Sequence, residues 1–226
     1  MQQVYWIKSS QTWTCPKAGV WKIVCVGGGA SGGVTFYPNV SALQSTGGTT
    51  SFGSLLSAPG GAVETACPIG IKSCGGYGGY DGMNYGGMPM TAFRGSSSVD
   101  TTFLSSAAGN GGVIGSPGLG YGAGGGVGQV YQITTKNGAQ INNSNIYAVP
   151  GKCGGMTMGI FDLALNQSMS CTIGTSVKPS ITASTLIQQF KKGSANITEI
   201  ADAAAAQVAA TVTAGTAGVI YIEFLG

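Results

Sequence analysis

The order of apolar and polar positions divides the chain into a conventional start and end around an unusual middle. Val20-Trp21-Lys22-Ile23-Val24-Cys25-Val26 is short, β-branched and aromatic, with apolar residues on both faces. Such a run predicts a core strand rather than an edge strand. Val219-Ile220-Tyr221-Ile222-Glu223-Phe224 has the same character at the far end of the chain. The two are expected to lie side by side in one core sheet and close the domain. Val130–Thr134 alternates like a strand and is followed by a turn signal at Lys136-Asn137-Gly138-Ala139. Ile146–Val149 and Met169–Ile173 read as further strands.

Residues 184–212 break this pattern. Ser184 to Lys192 are mostly good helix formers, with basic residues at the end and Gly193 as a cap. Asn196-Ile197-Thr198-Glu199 has the form of a capping box, and Ile197, Ile200, Ala201, Ala204 and Val208 then share one helical stripe. This predicts a small two-helix insertion near the C-terminus.

Glycine changes the picture of the middle. The chain has 226 residues and 41 glycines, and 30 of them fall between Gly27 and Gly128. Ordering glycine in place of alanine costs roughly 0.5–1 kcal/mol per residue in regular structure. So many ordered glycines must be recovering something through close backbone approach. Gly109, Gly112, Gly115 and Gly118 recur every third residue, as do Gly76, Gly79 and Gly82. A three-residue period fits a polyproline-II-like rod with one bare face that can pack on another rod. Gly120 to Gly128 recur every second residue, which leaves one face of an extended strand bare. Irregular glycine turns are the alternative source of both periods. The expected fold is mainly β: a glycine-rich β-sandwich or packed-rod body over residues 20–226, after a lead-in or attachment segment at residues 1–19.

Charge and composition remove several classes of function. There is no His, and 10 basic residues face 7 acidic ones, a net charge of +3. His-based triads and HExxH zinc sites are impossible, and the cations are too few and dispersed for a nucleic-acid surface. No metal and no cofactor are expected. Gly27-Gly28-Gly29-Ala30-Ser31-Gly32 matches GxGxxG after a strand, but a poor helix former follows and the next acid is Glu64. A dinucleotide site needs a helix there and an acid about twenty residues on. No run of 18 apolar residues predicts a membrane helix. The start of the chain has no basic region followed by an apolar one, so synthesis in the cytoplasm is expected.

The cysteines are Cys15, Cys25, Cys67, Cys74, Cys153 and Cys171, and none forms a CxxC. They read as buried free thiols, or as including one disulfide between Cys67 and Cys74. Two groups of side chains are candidates for contacts. Tyr77, Tyr80, Met83, Tyr85, Met88 and Met90 stand on a glycine framework. Tyrosine offers a large contact with few rotamers, and methionine an adaptable one, so this tract either recognises a sugar or protein or fills gaps between rods and subunits. Trp6 and Trp13 are bulky anchors for assembly, and Gly112 and Gly115 are bare positions that assembly would need.

Three stretches resemble the glycine-rich domain of bacteriophage and prophage tail proteins. They are Trp13-Thr14-Cys15-Pro16-Lys17-Ala18-Gly19-Val20 leading to Val24-Cys25-Val26-Gly27-Gly28-Gly29, Gly47-Gly48-Thr49-Thr50-Ser51-Phe52-Gly53 leading to Ala58-Pro59-Gly60-Gly61, and the closing Gly215-Thr216-Ala217-Gly218-Val219-Ile220-Tyr221-Ile222-Glu223-Phe224. Ser170-Cys171-Thr172-Ile173-Gly174-Thr175 echoes another strand of that family. The resemblance implies a virion structural protein: a tail fibre, fibre tip or baseplate appendage that helps attach the particle to a bacterial surface receptor. It also implies a homo-oligomer, most often a trimer, joined to other virion proteins. A capsid decoration or head fibre is the other structural reading. A polysaccharide depolymerase is the enzymatic one, but a glycosidase needs two paired carboxylates, and the seven acids show no convincing pair. The chain is therefore expected not to be an enzyme.

Overall fold

The structure, a computed structural model, describes residues 3–36, 44–62, 120–125, 132–134, 140–141, 146–149, 151–180, 205–207 and 213–226. Among these residues every regular element is a strand. One antiparallel sheet has the order β1 (Val4–Ile7), β13 (Val219–Phe224), β3 (Gly19–Val26), β10 (Met156–Leu163). A second has the order β2 (Gln11–Thr14), β11 (Ser168–Thr172), β5 (Thr50–Phe52), β6 (Leu56–Ala58). The strands β4 (Gly33–Phe36) and β9 (Ile146–Val149) pair with each other. β12 (Ala205–Gln207), β7 (Gln132–Thr134) and β8 (Gln140–Ile141) form a three-stranded sheet.

The expected pairing of the two terminal apolar runs is present: Val219 lies opposite Val26 and Phe224 opposite Trp21. Alternation decides which side chains turn inward. Trp21, Ile23 and Cys25 of β3 and Ile220 and Ile222 of β13 meet Trp13, Phe52, Met169 and Cys171 of the second sheet in one buried cluster. Trp13 and Trp21 meet edge to face, with ring centroids 5.4 Å apart. Residues 3–19 are thus built into the domain, with β1 in one sheet and β2 in the other.

Beyond this core the strands do not stop; they lose their side chains. Val26 faces Met156, Gly27 donates to the carbonyl of Gly155, Ala30 donates to Lys152, and Gly33 faces Val149. The antiparallel register of β3 with β10 therefore runs on through the glycines into β4 with β9 without a slip. The register of β3 with β13 does the same, since Gly29 donates to Thr216 and Gly32 to Thr213. In the second sheet β5 continues into Gly47 and Gly48, which donate to Gly61 and Thr175.

Two expectations are corrected. The stripe from Ile197 to Val208 predicts helix, yet Ala205–Gln207 is a strand paired with Gln132–Thr134. The alanine run has high helix propensity, but a partner strand with unpaired backbone groups outweighs so weak a preference. The rest of 184–212 lies outside the described residues. The two-residue period from Gly120 predicts an extended strand with one bare face. In the described part, Gly120 and Gly122 have φ of 79° and 68°, so the backbone turns instead of running extended, and Gly122, Ala123 and Gly125 all donate to neighbouring segments.

Candidate functional site

The glycine segments form the most distinctive arrangement in the molecule. Residues 27–32 are at its centre. Their six N–H groups go in rotation to three neighbours: Gly27 and Ala30 to Gly155 and Lys152, Gly28 and Ser31 to Gly48 and Ser45, Gly29 and Gly32 to Thr216 and Thr213. A three-residue rotation is that of a polyproline-II-type rod. The carbonyls of Gly28 and Ala30 accept from two further segments, through Gly61 and Gly125. A sixth segment touches the centre at Gly174, whose carbonyl oxygen would lie 2.8 Å from a Cβ added to Gly28. The surrounding segments bond to one another as well, for example Gly154 to Gly122, Thr216 to Ala123 and Gly218 to Gly174.

This packing explains the glycines. A Cβ on Gly29 would collide with the carbonyl of Ala123, and one on Gly154 with the carbonyl of Gly27. Both obstacles are backbone, so no side-chain rotation relieves them. The few side chains at the margin of the lattice supply hydroxyl acceptors. Thr50 Oγ1 accepts from the N–H of Gly174 at 2.9 Å, Thr216 Oγ1 from Ala123 at 2.7 Å, and Ser31 Oγ from Ser45 at 2.8 Å. Ser31 and Thr50 are fully buried, so each hydroxyl satisfies a donor that water cannot reach.

The same geometry rules on the GxGxxG run. Each N–H from Gly27 to Gly32 is committed to a carbonyl of a neighbouring segment, and β4 follows where a helix would be needed. No N–H is left to bind a phosphate.

The structure separates the two tryptophans proposed as assembly contacts. Trp13 is a core residue, 6 % exposed, and its role is internal. Its expectation as a surface anchor is corrected: in β2 it alternates with the exposed Thr12 and Thr14 and so points at Trp21. Trp6 points the other way, to the outer face of the first sheet. It is 37 % exposed, stacks on Tyr121 at 6.3 Å and meets Tyr221 edge to face at 4.9 Å. Lys8 Nζ sits 5.8 Å from the centre of the Tyr121 ring. On the same face Lys22 pairs with Glu223 at 3.5 Å, and Val24, Val26 and Val219 are buried against Tyr121, Met156 and Tyr221. Burial raises the Tyr221 pKa, and its hydrogen bond to Glu223 and the charge of Glu223 add to the shift. Sequence reasoning missed Tyr121 and Tyr221. The signal for Tyr221 was there, because strand alternation puts it on the side opposite Ile220 and Ile222. Tyr77, Tyr80, Met83, Tyr85, Met88, Met90, Gly112 and Gly115 lie outside the described residues.

Four cysteines are described, and Cys15, Cys25 and Cys171 are buried free thiols. Burial pushes the Cys25 thiol up to about 12, helped by the nearby Cys171 and opposed by a backbone hydrogen bond at Phe52. Cys171 is pushed up to about 11, again chiefly by burial, and Cys153 is raised for the same reason. Thiols held protonated in this way are poor nucleophiles and serve as small apolar side chains. Cys67 and Cys74, the suggested pair, lie outside the described residues.

Comparison of the chain with protein-family models, with curated proteins and with solved structures returns no match. Among the described residues the arrangement is all β, with strands that run on into a backbone-bonded glycine lattice.

Proposed function

We propose that this chain is a structural protein of a phage tail, a fibre, fibre tip or baseplate appendage, and that it attaches the particle to the host surface by binding rather than by turnover. We read its architecture as a β-sandwich extended by packed rods. The observation that carries the proposal is the lattice around residues 27–32, taken with the tail-protein motifs that supply its segments: Val24–Gly29, Gly47–Gly53 and Gly215–Glu223. A scaffold bonded through its backbone demands glycine at the contacts and little else. Side chains elsewhere are then free to change with the receptor, as in other proteins that carry variable recognition on a rigid frame. The Tyr77 to Met90 tract is the proposed receptor contact, and the chain acts in the virion as a homo-oligomer among other virion proteins, without cofactor or metal.

Two measurements test this. Antibody labelling and mass spectrometry of separated heads and tails should find the chain in the tail fraction; recovery with heads would favour a capsid decoration or head fibre. Particles carrying Tyr77→Ala, Tyr80→Ala and Tyr85→Ala should adsorb to host cells much more slowly, with no change in particle yield. Release of soluble saccharide from host polysaccharide by the purified chain would overturn the binding role.

A further inference from the structure

Sheet edges are where an all-β protein meets other strands, and the four edges of the two principal sheets differ. β1 and β2 have four residues each and β6 has three, whereas β10 has eight. Proteins blunt long edges with lysine, proline or a bulge. Met156-Thr157-Met158-Gly159-Ile160-Phe161-Asp162-Leu163 has no Lys and no Pro, and its pairing with β3 is continuous from Met156 opposite Val26 to Leu163 opposite Gly19.

The hydrogen-bond parity of that edge can be worked out. Val20 exchanges bonds with Gly226 and Leu225 on the β13 side, whereas Gly27 donates to Gly155 on the β10 side. In β3 the even-numbered residues thus turn their backbone groups to β13, and the odd-numbered ones to β10. Their partners in β10 are Thr157, Gly159, Phe161 and Leu163. The N–H and C=O of Met158, Ile160 and Asp162 therefore point away from β3, toward the edge. The side chains of Met158 and Ile160 are also out, at 55 % and 60 % exposed. Near its start the edge is closed toward β6, since Gly155 donates to Pro59 and Thr157 Oγ1 to the carbonyl of Ser57. Among the described residues the open stretch is Met158–Asp162.

We propose that Met158–Asp162 is an assembly edge that pairs antiparallel with the same stretch of a second copy of this chain about a twofold axis. The stretch is self-complementary. Centred on Ile160, the pairing sets Ile160 opposite the partner's Ile160, a favourable β-branched pair, and Asp162 opposite the partner's Met158 rather than against a like charge. Both strands present backbone donors and acceptors at alternate residues in the same phase, and the two first sheets join into one. This contact is twofold, distinct from the trimer that the tail resemblance implies, and it does not depend on the attachment role.

Sedimentation of the full chain over a concentration series tests it. The wild type should reach the mass of two chains. Ile160→Pro removes an N–H that faces outward and leaves the bonds to β3 in place, so it should sediment as one chain with an unchanged near-ultraviolet circular dichroism spectrum. Ile160→Lys, at an exposed position, should do the same by setting two cations opposite each other and stands in if the proline variant fails to fold. In the wild type, amide exchange at Met158, Ile160 and Asp162 should slow as concentration rises. A wild type that stays at one chain at the highest concentration, or an Ile160→Lys chain that still dimerises, would overturn the proposal.

Discussion

The two ends of β3 are held by opposite means. From Trp21 to Cys25 the strand is fixed by side chains: Trp21, Ile23 and Cys25 are fully buried against the second sheet. From Gly27 to Gly32 it is fixed by backbone, each N–H being donated to one of three neighbouring segments. In the first half, stacked sheets stand about 10 Å apart, with apolar side chains filling the gap. In the second half the gap is gone and the continuations of the two sheets touch directly, as Gly28 does with Gly48. The comparison teaches that glycine here shortens the distance between layers rather than loosening the chain. Apolar area holds one region, and hydrogen bonds withdrawn from water hold the other. The two regions should therefore fail under opposite substitutions, one when atoms are removed and the other when they are added.

The largest effect is expected from adding one methyl group to the lattice. Gly29→Ala and Gly154→Ala each place a carbon against a backbone carbonyl. Each should destabilise by more than about 4 kcal/mol, the range reserved for severe lesions, and should abolish cooperative urea unfolding or the soluble chain itself. Removing atoms from the core comes next. Ile222→Ala should cost about 2–5 kcal/mol, and Ile23→Val only about 0.5–1.5 kcal/mol, read as shifts in the urea midpoint. A loss smaller than that of Ile222→Ala is expected at the lattice margin. Thr50→Val keeps the shape and deletes the acceptor for Gly174, leaving a buried N–H unpaired at a cost of about 1–3 kcal/mol.

A separate effect is confined to high pH. The Cys25 and Cys171 thiols keep their protons to about 12 and 11 in the folded chain, above an ordinary value of 9.0. Above pH 9 the unfolded chain loses protons that the folded chain retains, so stability falls as pH rises from 9 toward 12 and is unaffected below 9. Thermal melts across that window should show the decline, and a Cys25→Ala, Cys171→Ala variant, though less stable throughout, should show a flatter one.

Much of the side-chain half was legible in the sequence. Val20–Val26 and Val219–Phe224 could be paired from their composition alone, and Met169 and Cys171 fall on the buried side of a strand that alternation predicts. The need for close backbone approach was legible too, because so many glycines have no other use. The partners in the lattice were not. Gly27, Gly28 and Gly29 are contiguous, so their three-residue rotation is a property of hydrogen bonding that no spacing of glycines displays. The inward turn of Trp13 was hidden because β2 is only four residues long and too short for alternation to be conclusive. The strand at Ala205–Gln207 was hidden because alanine satisfies a helical pattern readily, and only the distant partner at Gln132–Thr134 selects otherwise.

Amide hydrogen exchange along β3 and its continuation tests the central claim most directly. If backbone bonding in the lattice is equivalent to side-chain packing in the core, the N–H groups of Gly27, Gly28, Gly29, Ala30, Ser31 and Gly32 will exchange only through global unfolding, at the same free energy as those of Ile23 and Cys25. Exchange of the glycine amides through local opening, within minutes and with little denaturant dependence while Ile23 stays protected, would contradict the account.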